Sequence, residues 1–199
     1  RQIKMPRKKA VSGLAKMAAN YKKELAERER INKNLLQLFD RAIELDELGY
    51  SIEYIILVSQ IVDEFLIRCI REQESLIRLQ LDTTDFVSFN SDFEAKLKNG
   101  LTSGKLVAYY KRYSRDEKTK IKLDGFVKDR NELVHKIIKN GIETLEKKVS
   151  KRTGGELVKI LAEEARKISE EKEIWFRDPV NRRLLASKYL RNLEKSDKN

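Results

Sequence analysis

Apolar residues recur every three or four positions over most of the chain, and no stretch alternates strictly as a half-buried strand would. The first such run spans Val11 to Leu48, with Leu14, Met17, Tyr21 and Leu25 followed by Leu35, Leu38, Phe39 and Ile43. The polar stretch Glu27 to Asn34 leaves two readings open, two helices or one that leaves the body. Gly49 is placed to end this run as a C-terminal cap and Ser51 to cap the next helix. The segment Ile52 to Leu81 is apolar on nearly every side, which puts it at the centre of the core. Asp82 to Ser91 reads as a connector. Asp92 can then cap a short helix that Gly100 stops, and Ser103 or Gly104 opens another through Leu106, Val107, Tyr109 and Tyr110. After a polar stretch from Ser114 to Lys120, a helix is expected over Ile121 to Asn140, with Gly141 as its end. Thr153-Gly154-Gly155 reads as a break before a helix reaching Phe176. Asp178-Pro179 marks a turn, and a last basic helix carries Leu184, Leu185, Tyr189, Leu190 and Leu193. The expected fold class is all-α.

Composition supports that class and narrows the chemistry. Only 8 Gly and 2 Pro punctuate 199 residues, too few for a β-sandwich, a barrel or a Rossmann fold. No Gly-rich phosphate loop of the GxGxxG or GxxxxGK[ST] form is present. One cysteine, Cys69, excludes an intrachain disulfide and a cysteine-built zinc site within one chain. One histidine, His135, leaves little room for a histidine metal cage, so neither a metal nor a cofactor is expected. No apolar run approaches the roughly 20 residues that span a bilayer, and the basic start from Arg1 to Lys9 is not followed by a signal-type apolar segment. The expectation is a soluble, cytoplasmic protein with no membrane partner.

The net charge of +11, from 43 Lys and Arg against 32 Asp and Glu, is unevenly placed. Residues 1–30 hold ten basic residues and three acidic, and residues 151–199 hold thirteen and nine, so the centre is nearly neutral. Basic ends of this kind attract polyanions by electrostatic steering and counterion release. The blander alternative is a solvated helix face.

The chemistry concentrates in the helix expected over Ile121 to Asn140. At about 100° per residue, Phe126, Val127, Leu133, Val134, Ile137 and Ile138 fall within about 80° of Arg130. A guanidinium amid that stripe needs an anion or a wet cleft. Asn131 and His135 lie one turn apart on the stripe's border, so the amide can orient the imidazole or hold a phosphate. The competing reading is structural: Arg130 pairs with Asp63 or Glu64 on the core helix, and His135 is an ordinary interfacial histidine. The stretch Tyr109-Tyr110-Lys111-Arg112-Tyr113 offers stacking faces and cations for RNA, or else simply packs one face and solvates the other. Trp175-Phe176-Arg177 has the same two readings. Cys69 is read as a buried small hydrophobe.

The run Arg130-Asn131-Glu132-Leu133-Val134-His135 resembles the R-N-x-x-x-H form of the motif of the HEPN superfamily. The resemblance covers roughly residues 35–150. It includes the acidic pair Asp63 and Glu64 on the preceding apolar helix, and a segment similar to Abi-type members from Phe93-Glu94-Ala95-Lys96-Leu97 through Gly100-Leu101. It implies a HEPN-like up-and-down helical bundle over 35–150, flanked by a basic helical arm (1–34) and a basic helical extension (151–199). The implied activity is a metal-independent endoribonuclease of toxin or phage-defence type, with Arg130, His135 and Asn131 as catalytic residues. RNA, a second copy of the chain and a neutralising antitoxin are the implied partners. Imidazole titrates near neutrality and can act as base or acid, and arginine can stabilise a developing phosphorane. A single histidine supplies both roles only in a dimer that faces two Arg130/His135 pairs across one cleft. The alternative function is a non-catalytic helical RNA- or DNA-binding scaffold of HEPN-like fold. A plain oligomerisation module is disfavoured by broken heptad spacing.

Overall fold

The computed structural model describes residues 7–82, 92–140, 151–185 and 187; side chains are described at 19 and 23, and from 26 onward apart from 82, 134, 136–140 and 151–153. These residues fold into helices with no strand, as the periodicity predicts. The elements are α1 (Arg7–Glu47), α2 (Ser51–Asp82), α3 (Phe93–Lys98), α4 (Ser103–Tyr113), α5 (Glu117–Asn140) and α6 (Lys151–Arg177), followed by a short α7 over 179–185. Among the described residues no helix is long and apolar enough to cross a membrane. Of the connector expected over Asp82 to Ser91, Asp82 is the last residue of α2 and 83–91 lie outside the described residues, as do Gly141, Tyr189, Leu190 and Leu193 and the side chains of Leu14, Met17, Tyr21 and Leu25.

The polar stretch near Glu27 does not interrupt α1, which is one helix through Glu47. Gly49 ends it at φ +86°, a left-handed conformation that glycine adopts without a Cβ clash. Gly49 N–H donates to the Asp46 carbonyl and Tyr50 N–H to the Leu45 carbonyl, the paired bonds of a Schellman cap. Ser51 is the first helical residue of α2 rather than its cap, and the Tyr50 carbonyl accepts from Tyr54 N–H.

α2 is the central element. Val58, Ile61, Val62, Phe65, Leu66 and Ile70 are almost completely buried. α1 covers one side with Leu35, Phe39 and Ala42, and α4 another with Leu106, Val107, Tyr109 and Tyr110. α5 adds Leu123, Phe126 and Leu133. α6 packs along α2 with Leu157, Val158, Leu161, Ala165 and Ile168. This last contact crosses the expected boundary at residue 150. α6 supplies one wall of the core with its apolar stripe, and most of its charges lie away from that stripe, although Lys172 is buried and Glu164 accepts from Tyr110.

Two further expectations change. Thr153-Gly154-Gly155 is not a break: α6 runs through it. A Cβ on Gly154 would lie 2.8 Å from Val58 Cγ1 and 3.1 Å from Phe126 Cε2, so the missing side chain lets α6 approach α2 and α5. α5 also starts earlier than expected, at Glu117. Asp116 begins it by accepting bonds from Lys118 N–H at 3.0 Å and Thr119 Oγ1 at 2.6 Å.

Candidate functional site

Arg130 lies on the inward side of α5, where the wheel places it, and keeps 24% of its side chain exposed. Its guanidinium is engaged twice. Nη1 donates to Ser103 Oγ at 2.5 Å, and Nη2 donates to Asn131 Oδ1 at 3.1 Å. Ser103 Oγ in turn donates to Asp63 Oδ2 at 2.5 Å, and Arg130 Nη1 stands 3.7 Å from the same oxygen. The first turn of α4 therefore inserts a hydroxyl between a carboxylate on α2 and a guanidinium on α5. Burial pushes the Asp63 carboxyl above its usual range, and the Ser103 bond and Arg130 charge offset that only in part.

The structural alternative for Arg130 is thus met by Asp63. Glu64, the next residue, is exposed on a different face of α2 and lines a cleft with Arg68 and Arg71. Ser103 was legible only as a helix opener. It lies 40 residues from Asp63 and 27 from Arg130, and no spacing rule links a lone serine to either.

Asn131 is exposed, and its amide oxygen serves Arg130. His135 is exposed one turn further along α5. Five helical residues separate His135 from Arg130, about 7.5 Å of rise and about 140° of rotation. Within one chain the imidazole and the guanidinium therefore leave the helix on different sides. The arrangement places an exposed imidazole one turn from Asn131, whose amide oxygen accepts from the half-buried Arg130 guanidinium.

Of the two readings of the tyrosine stretch, packing describes where these rings lie. Tyr109 and Tyr110 are core residues, and Tyr113 is half-buried. Each hydroxyl donates to a carboxylate: Tyr109 to Asp92 at 2.6 Å, Tyr113 to Glu74 at 2.7 Å, and Tyr110 to Glu164 in a short bond. Packing and hydroxyl bonds occupy these rings, because α4 turns its tyrosine face to α2 and α6. Asp92 likewise makes no side-chain cap on α3; its carboxylate takes Tyr109 and the Lys96 ammonium instead. Lys111 pairs with Asp124 at 2.5 Å, and the Arg112 guanidinium lies 4.4 Å from the Tyr109 ring centre in a cation–π contact. Trp175 and Phe176 meet edge to face at 5.5 Å. Cys69 is buried, its thiol pushed up by burial, which suits a packed hydrophobe rather than a nucleophile.

No family model, curated protein or solved structure matches this chain.

Proposed function

We propose that the protein is a metal-independent endoribonuclease of HEPN type, acting as a dimer in a toxin or phage-defence setting within the cytoplasm. The observation that carries this reading is the Arg130–Asn131–His135 arrangement, an exposed imidazole one turn from an amide that is bonded to a half-buried guanidinium. In the reaction the RNA 2′-oxygen attacks the adjacent phosphorus as a base removes its proton. The P–O5′ bond then breaks as an acid protonates the leaving oxygen. His135 of one protomer serves as the base and His135 of the second as the acid. The Arg130 guanidinia face the charge that builds on the non-bridging oxygens. Asn131 is a positioning residue, holding the guanidinium in plane. Rotation about α5 separates Arg130 from His135 in one chain, which favours a site completed across a two-fold axis. An antitoxin protein that covers this face is the partner this role requires.

The test is the chemistry of the product ends. Full-length protein in EDTA should cut an all-ribose oligonucleotide to a 2′,3′-cyclic phosphate and a 5′-OH. The same oligonucleotide with 2′-deoxyribose at the cut site should survive. Cutting of the deoxy substrate, or 3′-OH ends, refutes the proposal.

A second reading has its own support. Arg130 is already neutralised through Ser103 and Asp63, as a purely structural arginine would be. The protein is then a helical RNA- or DNA-binding scaffold. Nucleic-acid affinity should fall steeply with salt and be indifferent to His135→Ala.

A further inference from the structure

A second feature lies on another face of α2. α1 and α2 enclose a cleft of about 410 Å³, floored by Ile31 and Ile67 and bordered by Lys23, Arg28, Arg68 and Arg71. Its acidic residues are engaged within or beside it. Glu72 is almost fully buried and takes Arg28 Nε at 2.8 Å and Lys172 Nζ at 3.5 Å. Glu27 takes Arg30, and Glu64 lies in the field of Arg71, which itself forks onto Glu94 at 2.6 and 3.0 Å.

Arg68 is the exception. Its Nε is buried with no hydrogen-bond partner among the described residues. Its one described bond is long, Nη1 to the Arg28 carbonyl at 3.4 Å. A guanidinium carries five fixed N–H donors, and a buried one such as this Nε–H is costly to leave without an acceptor. Burial and the neighbouring Arg28 charge both act against its protonated form, with Glu72 offsetting part of that. Lys23 is exposed at the same mouth.

We infer that this cleft binds a phosphate group, gripped by Arg68 with Lys23 at the rim. A tetrahedral oxyanion offers several acceptors to a forked guanidinium and tolerates an ammonium at any angle, which suits this pair. The apolar floor of Ile31 and Ile67 leaves room for the body that carries the phosphate. Arg68 follows Asp63 by five residues along α2, about 140° around the helix, so the cleft opens away from the Arg130 cluster. The inference therefore stands or falls separately from the ribonuclease reading. Two sources share this chemistry, a free small phosphate compound and a phosphate of an RNA backbone.

Titration calorimetry of the full chain with pyrophosphate at moderate salt tests it. The expected result is saturable binding at one site per chain, weakened at least tenfold in Arg68→Met and severalfold in Lys23→Gln. No saturable binding overturns the inference, and so does binding that both variants leave unchanged, since that would place the anion on the chain's other basic surfaces. If Arg68→Met fails to fold, the exposed Lys23→Gln decides alone: weakened binding supports the site and unchanged binding overturns it. Where the site is confirmed, a 12-residue single-stranded RNA identifies the source. Competition with pyrophosphate that depends on Arg68 assigns a backbone phosphate, and simultaneous binding assigns a small compound; both outcomes support a phosphate site.

Discussion

Ser103 ties three helices together through one hydroxyl. Ser103→Ala removes the donor to Asp63 and the acceptor for Arg130, both of them partly exposed. Solvent compensates for part of that loss, so the expected destabilisation is modest, about 1–2 kcal/mol in urea unfolding. A change within 0.3 kcal/mol of zero would show that the bridge is idle. Glu164 gives a pH test. Burial raises its carboxyl above the ordinary glutamate range, with the Tyr110 bond opposing only in part. A raised acid binds its proton more tightly when folded. Its contribution is thus whole below the unfolded value of about 4.3 and is lost as pH climbs through the folded value. Glu164→Gln keeps an acceptor for Tyr110 and cannot ionise. Its stability relative to wild type should rise as pH climbs from about 4 and level off above the folded value, and a difference that stays flat or shrinks throughout would contradict the assignment. At this scale the inward placement of Arg130 was legible from periodicity. The tyrosines were not, because an amphipathic ring followed by Lys and Arg reads equally as a binding face or a core face.

α6 shows what a helix's charge conceals. Counting charges over 151–199 averages its two faces, and Gly154-Gly155 adds an apparent breaker. Yet Leu157, Leu161, Ala165 and Ile168 repeat at the spacing of one buried stripe. Glycine's helix penalty of about 1 kcal/mol is visible in sequence; the close approach that offsets it is a property of the packed fold. The two glycines should therefore behave differently. Gly155→Ala meets only ordinary contacts at 3.5 Å and should stabilise the protein by about 0.5–1 kcal/mol. Gly154→Ala forces its methyl against the stiff, buried Val58 and should lose about 1–2 kcal/mol despite better propensity. In a Val58→Ala background that loss should shrink, a coupling that a double-mutant cycle in urea reads directly. Equal effects at both glycines would refute the close-packing account.

For the whole molecule, α2 is walled by α1, α4 and α6, and removing a wall uncovers part of its buried surface. The unit is therefore larger than the 35–150 span of the family-like stretch. A fragment ending at residue 150 should lack a cooperative thermal transition by circular dichroism, whereas the full chain should melt in one step. A cooperatively folded fragment would restore the division at 150. All-α class and a central α2 were readable because periodicity and apolarity are local properties. Which helix forms which wall was not, since it rests on contacts between residues far apart in the chain, such as Lys172 on Glu72, 100 positions away. The ribonuclease reading is best tested at His135, which is exposed, so that its removal leaves the packed core intact. Arg130 is a poorer choice, because its loss also disturbs Asp63. The deciding measurement is RNA cleavage in EDTA by folded, full-length wild type against His135→Ala. The account predicts cutting by wild type that falls at least a hundredfold in the variant; intact RNA with wild type, or equal cutting by both, would contradict it.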